Sequence, residues 1–246
     1  MVTLNKVVLQ KSEILALRSR FQTAELDWSP GLERDFAVFK AELIRWNQKV
    51  NLVSRSDEGR VVDAHVIDSL RILPFIRRDG GEVRLLDIGT GAGFPGLVLK
   101  IARPDLAVVL VDSARKKRLF LMHMISTLEL TGIDVLDRRA EEIADVEQLR
   151  GRFHVVTSRA VGSLAVTIPL AAPFLAPGGR FITFKPSVCG SEMEEAAGVC
   201  ASVGLSKPVV LDEDGNLPRR GSLVQVTCAV DRQTGLMGPT EGEMNS

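Results

Sequence analysis

The sequence predicts an α/β protein with a doubly wound, mostly parallel sheet of seven strands, preceded by a helical segment. The first observation is that apolar runs alternate with amphipathic ones beyond residue 81, a pattern typical of strands joined by helices. The second is a glycine-rich turn at residues 89–96, between an apolar run and a helical stretch. A strand, a glycine-rich turn and a helix in that order place a ligand at the carboxyl ends of the first strands.

Residues 1–80 are predicted to form a helical extension, because apolar residues from Phe36 to Leu52 recur at helical intervals. Pro74 stops this pattern, and the Gly80-Gly81 pair marks the start of a sheet domain over residues 81–230. Strands are predicted near 83–88, 107–111, 133–136, 154–158, 179–185, 204–211 and 223–229. The last stretch, 231–246, is rich in Gly, Thr and Glu, and is predicted to be a disordered tail.

Composition limits the classes of protein that are possible. The formal net charge is zero, so any contact with nucleic acid has to depend on local basic patches. The three cysteines are widely spaced without a C-x-x-C pair, and the three histidines are scattered, so we predict neither a disulfide framework nor a metal site. Because no apolar stretch approaches the length of a membrane span, we expect a soluble cytoplasmic protein.

Two ligand classes fit the turn. Gly91, Gly93 and Gly96 match the G-x-G-x-x-G pattern of dinucleotide-binding proteins, a weak signal alone. S-adenosylmethionine is the alternative, because its enzymes use a similar turn with an acid just before it, as Asp87 stands here. Three features favour this methyl donor: the Asp87 carboxylate would tend to repel a pyrophosphate, Phe94-Pro95 is bulky where phosphate needs an open helix N-terminus, and a long helical segment precedes the turn.

The other strand ends provide further candidates for donor binding. Asp112 follows the second strand, where its carboxylate can accept hydrogen bonds from a ribose diol, and Asp112 or Ser113 can cap the next helix. Ala140 and Glu141 follow the third strand, where the backbone lines the adenine in methyltransferase-like sheets. Arg159 ends the fourth strand, and its guanidinium suits a carboxylate or a phosphate.

A run of cations, from Arg115 and Lys116 to Arg118, opens the helix after the second strand. Charge runs are usually solvated helix faces. Here the cations lie at the helix end where the macrodipole disfavours them, which favours a role in contacting phosphate. Lys185 ends the fifth strand as Arg159 ends the fourth, and is a weaker candidate for the same role.

The missing motifs narrow the chemistry, and no catalytic acid or base is predicted. No Asn/Asp-Pro-Pro-aromatic motif follows the fourth strand, which disfavours methylation of an exocyclic amine, and no Pro-Cys lies there to attack a pyrimidine. Guanine N7 fits because it has no proton to remove, so its methylation depends mainly on alignment and desolvation. His65 and Asp68 lie on one helix face, and either tie the helical cap to the sheet, which we favour, or form a wall of a base pocket.

The chain resembles the RsmG (GidB) family, the bacterial 16S ribosomal RNA guanine-N7 methyltransferases, over roughly residues 35–230. The segments that carry the likeness are Trp46-Asn47 to Asn51-Leu52, His65 to Leu70, Asp87 to Gly96, Asp112-Ser113 with Lys117-Arg118, Arg139 to Glu142, and Ser158 to Ala160. The chain departs from the family in having Pro186 after Lys185, where the family often has glycine, and in having no tyrosine near Phe39.

This resemblance implies a class I S-adenosylmethionine-dependent methyltransferase fold of the Rossmann-like type. It also implies a guanine substrate in small-subunit rRNA, presented on a ribosomal particle. The expected donor contacts are Gly89, Phe94, Asp112, Ala140, Glu141 and Arg159, with Asp87, Gly91, Gly93 and Ser113 as further candidates. The competing interpretations are an oxidoreductase that binds a nicotinamide dinucleotide and a non-catalytic ribosome assembly factor.

Overall fold

The computed structural model describes residues 8–77, 80–144, 146–159, 162–185, 187–211 and 222–228, so the predicted tail at 231–246 lies outside the described residues. The helices are α1 (Lys11–Thr23), α2 (Pro30–Asn47), α3 (Ile67–Leu70), α4 (Gly96–Ala102), α5 (Arg115–Thr127), α6 (Ala140–Ile143), α7 (Leu164–Ala171) and α8 (Gly190–Ser202). Short 3₁₀ turns lie at Arg55–Arg60, Leu73–Phe75, Glu147–Leu149 and Ala172–Phe174, and a π-helical turn spans Val62–Val66.

A seven-stranded sheet has the order β3-β2-β1-β4-β5-β7-β6. Its strands are β1 (Arg84–Ile88), β2 (Ala107–Val111), β3 (Ile133–Leu136), β4 (Phe153–Arg159), β5 (Leu175–Lys185), β6 (Val209–Leu211) and β7 (Ser222–Thr227). The first five pair in parallel, while β7 is antiparallel to β5 and β6 is antiparallel to β7. The predicted mostly parallel, seven-stranded sheet is confirmed.

The predicted strand at 204–211 is too long. Only Val209–Leu211 pairs with β7 as a strand, and Leu205 forms a single bridge with Cys228. Pro208, which has no N–H to donate to a ladder, directly precedes β6 and separates the two contacts.

The direction of strand addition reverses at β1. Leu85 pairs with Val108 of β2 on one side and with Val155 of β4 on the other. From β1 the chain builds outward through β2 and β3, then returns to the other side of β1 for β4 and β5. In open α/β sheets, ligands bind in the crevice at the carboxyl ends of the strands beside such a switch point.

Helices cover both faces of the sheet. On one face α2 contacts α4 and α5, and Phe39 of α2 lies in one apolar core with Leu97 and Leu110 of the sheet domain. On the other face a second apolar core joins strands such as β4 and β5 to α7 and α8, with Ile168 and Ala196 fully buried in it. The helical extension therefore packs directly on the helices that flank β1.

A buried ion pair joins the first two helices. The Nζ of Lys40 in α2 donates hydrogen bonds of 2.7 and 2.8 Å to the carboxylate of Glu13 in α1. Both residues are buried, and Glu13 also accepts the backbone N–H of Gln10 at the start of α1. Because α2 packs on the sheet domain, this pair ties α1 to the rest of the fold.

Candidate functional site

The glycines of the turn after β1 divide into two kinds. Gly89, Gly91 and Gly93 all have positive φ angles, of 70°, 60° and 89°, which L side chains rarely adopt. A Cβ placed on Gly93 would lie 2.6 Å from Cβ of Leu97, so this glycine is required by packing. A Cβ on Gly91 would meet no atom closer than 3.9 Å. Gly91 therefore has room for a Cβ, which would touch only the Gly89 carbonyl oxygen and the flexible end of Lys117, and a ligand can approach its backbone on this side.

Asp87 shapes the turn from beneath. It is the last residue but one of β1, its side chain is fully buried, and it accepts the Gly96 N–H at 2.9 Å and the Thr157 hydroxyl at 3.0 Å. Burial raises the pKa of the Asp87 carboxyl to about 6, and hydrogen bonds and the charge of Arg159 offset only part of that effect. The bond to the Gly96 N–H shows how this acid orders the glycine turn.

Asp112 connects β2 to the same turn. One carboxylate oxygen accepts the Gly91 N–H at 2.9 Å, and the other accepts the Ala114 N–H at 2.7 Å. Each oxygen keeps a second lone pair for another donor. The expected cap of α5 by Asp112 or Ser113 is wrong, because Ala114 is the N-cap and no side chain caps this helix. The Asp112 carboxylate instead links the glycine turn to the N–H of Ala114, the residue that precedes α5.

Arg159, at the end of β4, lies against Phe94 of the turn. Its guanidinium carbon is 4.8 Å from the centre of the Phe94 ring, a cation–π distance. Its Nη2 lies 3.0 Å from Nδ1 of His65, and its Nη1 lies 3.7 Å from a carboxylate oxygen of Asp68. Burial lowers the pKa of the Arg159 guanidinium, and the carboxylates of Asp68, Asp87 and Asp57 oppose that effect.

His65 therefore faces the glycine turn at the carboxyl ends of the strands. Its ring centre lies 5.0 Å from that of Phe94, and its Nε2 lies 3.5 Å from the carboxylate of Asp57. Asp68 accepts a hydrogen bond of 2.8 Å from Arg71. His65 and Asp68 thus connect the helical cap to the sheet through Arg159, and Asp57 is a further member of this cluster that no local sequence pattern indicates.

The third strand end brings Ala140 and Glu141 to the same edge. Ala140 begins α6 and is buried in the apolar core that contains Ile88 and Val111, the last residues of β1 and β2. Glu141 is exposed beside it. This places the start of α6 at the carboxyl edge of the sheet, as the sequence predicts.

The predicted basic residues differ in their partners. Arg118 contacts the carboxylate of Asp137 and donates to the Ser113 carbonyl at 3.0 Å. The Nζ of Lys185 lies 2.7 Å from Glu192 and donates to the Gly162 carbonyl at 3.1 Å. Both cations are thus already held by their own chain.

Arg115 and Lys116 are exposed, and no acidic group of the described ranges lies within ion-pair distance of either. Lys117 was not a predicted site residue, yet its Nζ would lie 3.9 Å from a Cβ on Gly91. Helical spacing alone did not reveal which cation of this run reaches the turn. The exposed surface charge at the start of α5 therefore comes mainly from Arg115 and Lys116.

In the described part of the chain, no helix combines the length and the apolar character that a membrane span requires. No group of three or more His, Cys, Asp or Glu side chains in the same part of the chain is arranged to hold a metal ion.

Solved methyltransferase structures share this fold. An S-adenosylmethionine-dependent O-methyltransferase from Thermotoga maritima superposes with a TM-score of 0.54 at 15% identity, over 79% of this chain and 72% of its own. M. jannaschii TYW2, solved in complex with AdoMet, gives a TM-score of 0.51 at 16% identity, over 67% of this chain and 75% of its own. At these identities the likeness establishes the fold, a class I methyltransferase fold.

Sequence relatives are more specific. The ribosomal RNA small subunit methyltransferase G of Roseiflexus castenholzii is 43% identical over 169 residues, covering 69% of this chain and 71% of the relative. That of Sorangium cellulosum is 38% identical over 192 residues, covering 74% and 80%. The family model described as GidB, rRNA small subunit methyltransferase G, matches residues 32–215. The chain therefore belongs to the GidB family of ribosomal RNA small subunit methyltransferases.

Proposed function

We propose that this chain transfers a methyl group from S-adenosylmethionine to N7 of a guanine in 16S ribosomal RNA, held in a small ribosomal subunit particle. Family membership supports the ribosomal RNA substrate. The observation that carries the donor assignment is the open side of Gly91, with Asp112 bonded to its N–H and Arg159 at the neighbouring strand end. Since its substrate is ribosomal RNA, we place the protein in the cytoplasm.

The residues around the turn fit a methyl donor. Gly91 leaves room at the backbone, Gly89 supplies a left-handed turn residue, and Asp112 has lone pairs left for a ribose diol. Arg159 offers a guanidinium for a carboxylate, and Phe94 closes the site beside it. The donor supplies a methyl group on a positively charged sulfur. We further propose that the backbone of Ala140 and Glu141 lines the adenine.

A dinucleotide fits this site less well. The N-cap of α4 is Pro95, which has no N–H to offer, and the Gly96 N–H is already bonded to the buried Asp87. Two groups at the start of this helix are thus withheld from a pyrophosphate. A nicotinamide dinucleotide would therefore lack the free N–H groups at a helix N-terminus that usually bind its pyrophosphate.

Guanine N7 is a methyl acceptor that needs no catalytic base, and we assign no such base in this site. Guanine N7 is an exposed lone pair with no proton to remove. Its methylation requires the base and the donor to be held in line and dehydrated, which positioning residues can achieve. We accordingly assign no catalytic residue, and propose that binding groups provide most of the rate enhancement.

We propose that RNA binds to a small basic patch and not to a generally positive protein surface. The chain has a formal net charge of zero, so it exerts no general attraction on a polyanion. Arg115 and Lys116 are exposed at the start of α5, next to the strand end that carries Asp112. A patch of this size binds naked RNA weakly, which is why we propose a substrate presented on a ribosomal particle.

Calorimetry with S-adenosylhomocysteine, S-adenosylmethionine and NAD tests the donor assignment. We expect the first two to bind and NAD not to bind. Asp112→Ala should weaken donor binding by about 1.5–3 kcal/mol, the usual value of a hydrogen bond to a charged group. Asp134→Ala is the matched control, because Asp134 is an exposed aspartate of β3. Binding of NAD in place of the donor would favour the oxidoreductase, and unchanged affinity in a folded Asp112→Ala protein would exclude the ribose role.

A further inference from the structure

The hydrogen bond between Arg159 and His65 fixes the protonation of the histidine. An arginine side chain has only N–H donors, so the 3.0 Å contact requires Nδ1 of His65 to be the acceptor. A ring that accepts at Nδ1 is neutral and carries its proton on Nε2. That nitrogen lies 3.5 Å from Oδ2 of Asp57, a carboxylate that favours a proton on the side facing it.

Packing leaves the guanidinium of Arg159 little freedom. It lies over the Phe94 ring at 4.8 Å, and the His65 ring lies 5.0 Å from the same ring at an angle of 34°. Phe94 is itself held edge-on by Phe39 of α2, at 5.6 Å between ring centres. A guanidinium over a ring can still rotate in its own plane, so its polar contacts select the rotation: the 3.0 Å bond to Nδ1 of His65 is the short one, and the 3.7 Å contact with Asp68 is the longer one.

Charged groups from several elements surround this contact. Asp57 faces His65 from the 3₁₀ turn at Arg55–Arg60. Asp68 of α3 lies 3.7 Å from Arg159 and pairs with Arg71. Asp87 of β1 interacts with Arg159 from beneath the turn.

We propose that His65 is a positioning residue for Arg159: its neutral ring, with the proton directed to Asp57, holds the guanidinium where the methyl donor meets it. The inference rests on the proposed role of Arg159 in donor binding. A protonated His65 has no acceptor and carries a positive charge beside a second one. The structure therefore predicts that donor affinity falls when His65 becomes protonated.

Two substitutions separate the acceptor from the ring. In His65→Asn the amide Oδ1 takes the place of Nδ1, two bonds from Cβ, so the acceptor is kept and the ring is lost. In His65→Phe the ring that packs on Phe94 is kept and the acceptor is lost. His123→Asn is the control, because His123 lies on α5 and contacts Glu42 of α2, away from Arg159.

The experiment is calorimetric titration of S-adenosylhomocysteine into each full-length variant at pH 7.5 and pH 5.5, with Arg159→Met as reference. At pH 7.5 we expect His65→Phe to bind about tenfold more weakly than wild type, and His65→Asn to bind within about threefold of it. Between the two pH values wild type should lose several-fold more affinity than His65→Asn, because only wild type has an imidazole that can take up a proton at this position. Protonation of Asp87 affects both proteins equally and cancels in this comparison.

The outcomes distinguish the two proposals. If Arg159→Met loses donor binding while His65→Phe binds like wild type, the positioning role is wrong and the donor site stands. If Arg159→Met binds like wild type, the proposed role of Arg159 is wrong. If His65→Phe does not fold, the pH comparison between wild type and His65→Asn decides, because equal losses in both would overturn the inference.

Discussion

Replacing Gly96 and Gly91 separately with alanine should separate the packing and ligand-facing roles of the glycine turn. A Cβ on Gly96 would lie 2.5 Å from Cδ2 of Leu110 and 2.7 Å from Cβ of Asp87. Overpacking of this kind costs about 1–3 kcal/mol. Asp87 must also move, which weakens its bond to the Gly96 N–H, and hydrogen bonds to charged groups contribute about 1.5–3 kcal/mol.

Gly96→Ala should therefore lower the free energy of unfolding by about 3–5 kcal/mol. For a chain of this length that corresponds to a fall in Tm of roughly 6–20 °C. In Gly91→Ala the added Cβ meets no atom closer than 3.9 Å, so its penalty is only that of the left-handed backbone, about 1–2 kcal/mol. The methyl group lies on the side of the turn that we propose faces the donor, where it should reduce donor affinity more than tenfold.

The assay is thermal and urea unfolding without ligand, followed by calorimetry with S-adenosylhomocysteine. Gly96→Ala should mainly lower the free energy of unfolding, whereas Gly91→Ala should mainly lower the affinity for S-adenosylhomocysteine. A Gly96→Ala protein as stable as wild type, or a Gly91→Ala protein that is the less stable of the two, would refute the division of roles.

Three further predictions concern charge. Burial raises the pKa of Asp87 to about 6, so the folded protein holds this proton more tightly than the unfolded chain does. The stabilisation that results is fully present below the unfolded pKa and is lost as pH rises through 6. Urea unfolding from pH 4 to 7 should show that contribution fall by about 2–2.5 kcal/mol in wild type relative to Asp87→Asn, and a constant difference would contradict it. Lys40→Met should destabilise the fold by about 3–5 kcal/mol by leaving Glu13 buried and unpaired, and a second change, Glu13→Leu, should restore most of this in denaturant unfolding. Arg115→Ala with Lys116→Ala should raise KM for small-subunit particles and flatten its salt dependence at unchanged donor affinity, whereas a salt slope equal to wild type would return these cations to a solvated helix face.

The parallel strands could be predicted closely, because strands buried on both faces read as continuous apolar runs. β2 and β3 have the predicted bounds, β1 differs by one residue and β4 by one at each end, whereas β5 begins four residues before the predicted 179–185. The strand at 204–211 was predicted with the wrong bounds, since the three residues of β6 after a proline give no periodicity. The π-helical turn at Val62–Val66 is likewise invisible, because its apolar spacing is that of an ordinary helix.

The candidate site could be predicted where it depends on strand ends. Asp87 is the last residue but one of β1, Asp112 directly follows β2 and Arg159 ends β4, and parallel strands bring their carboxyl ends to one edge. The contact between Arg159 and His65 joins residues 94 positions apart and depends on how the helical extension packs, which no local pattern encodes. The ion pair between Lys185 and Glu192 could not be predicted either, because it depends on how α8 packs against the end of β5.

Methyl transfer by the purified protein tests the central claim most directly. Small-subunit particles lacking the modification would be incubated with S-adenosylmethionine labelled in its methyl group, and their 16S RNA treated with borohydride and aniline before primer extension. We predict label in the RNA and cleavage at a single guanine with wild-type protein, and neither with a folded Arg159→Met protein. Label in a product that borohydride and aniline do not cleave, or no label in the RNA at all, would contradict the proposed reaction.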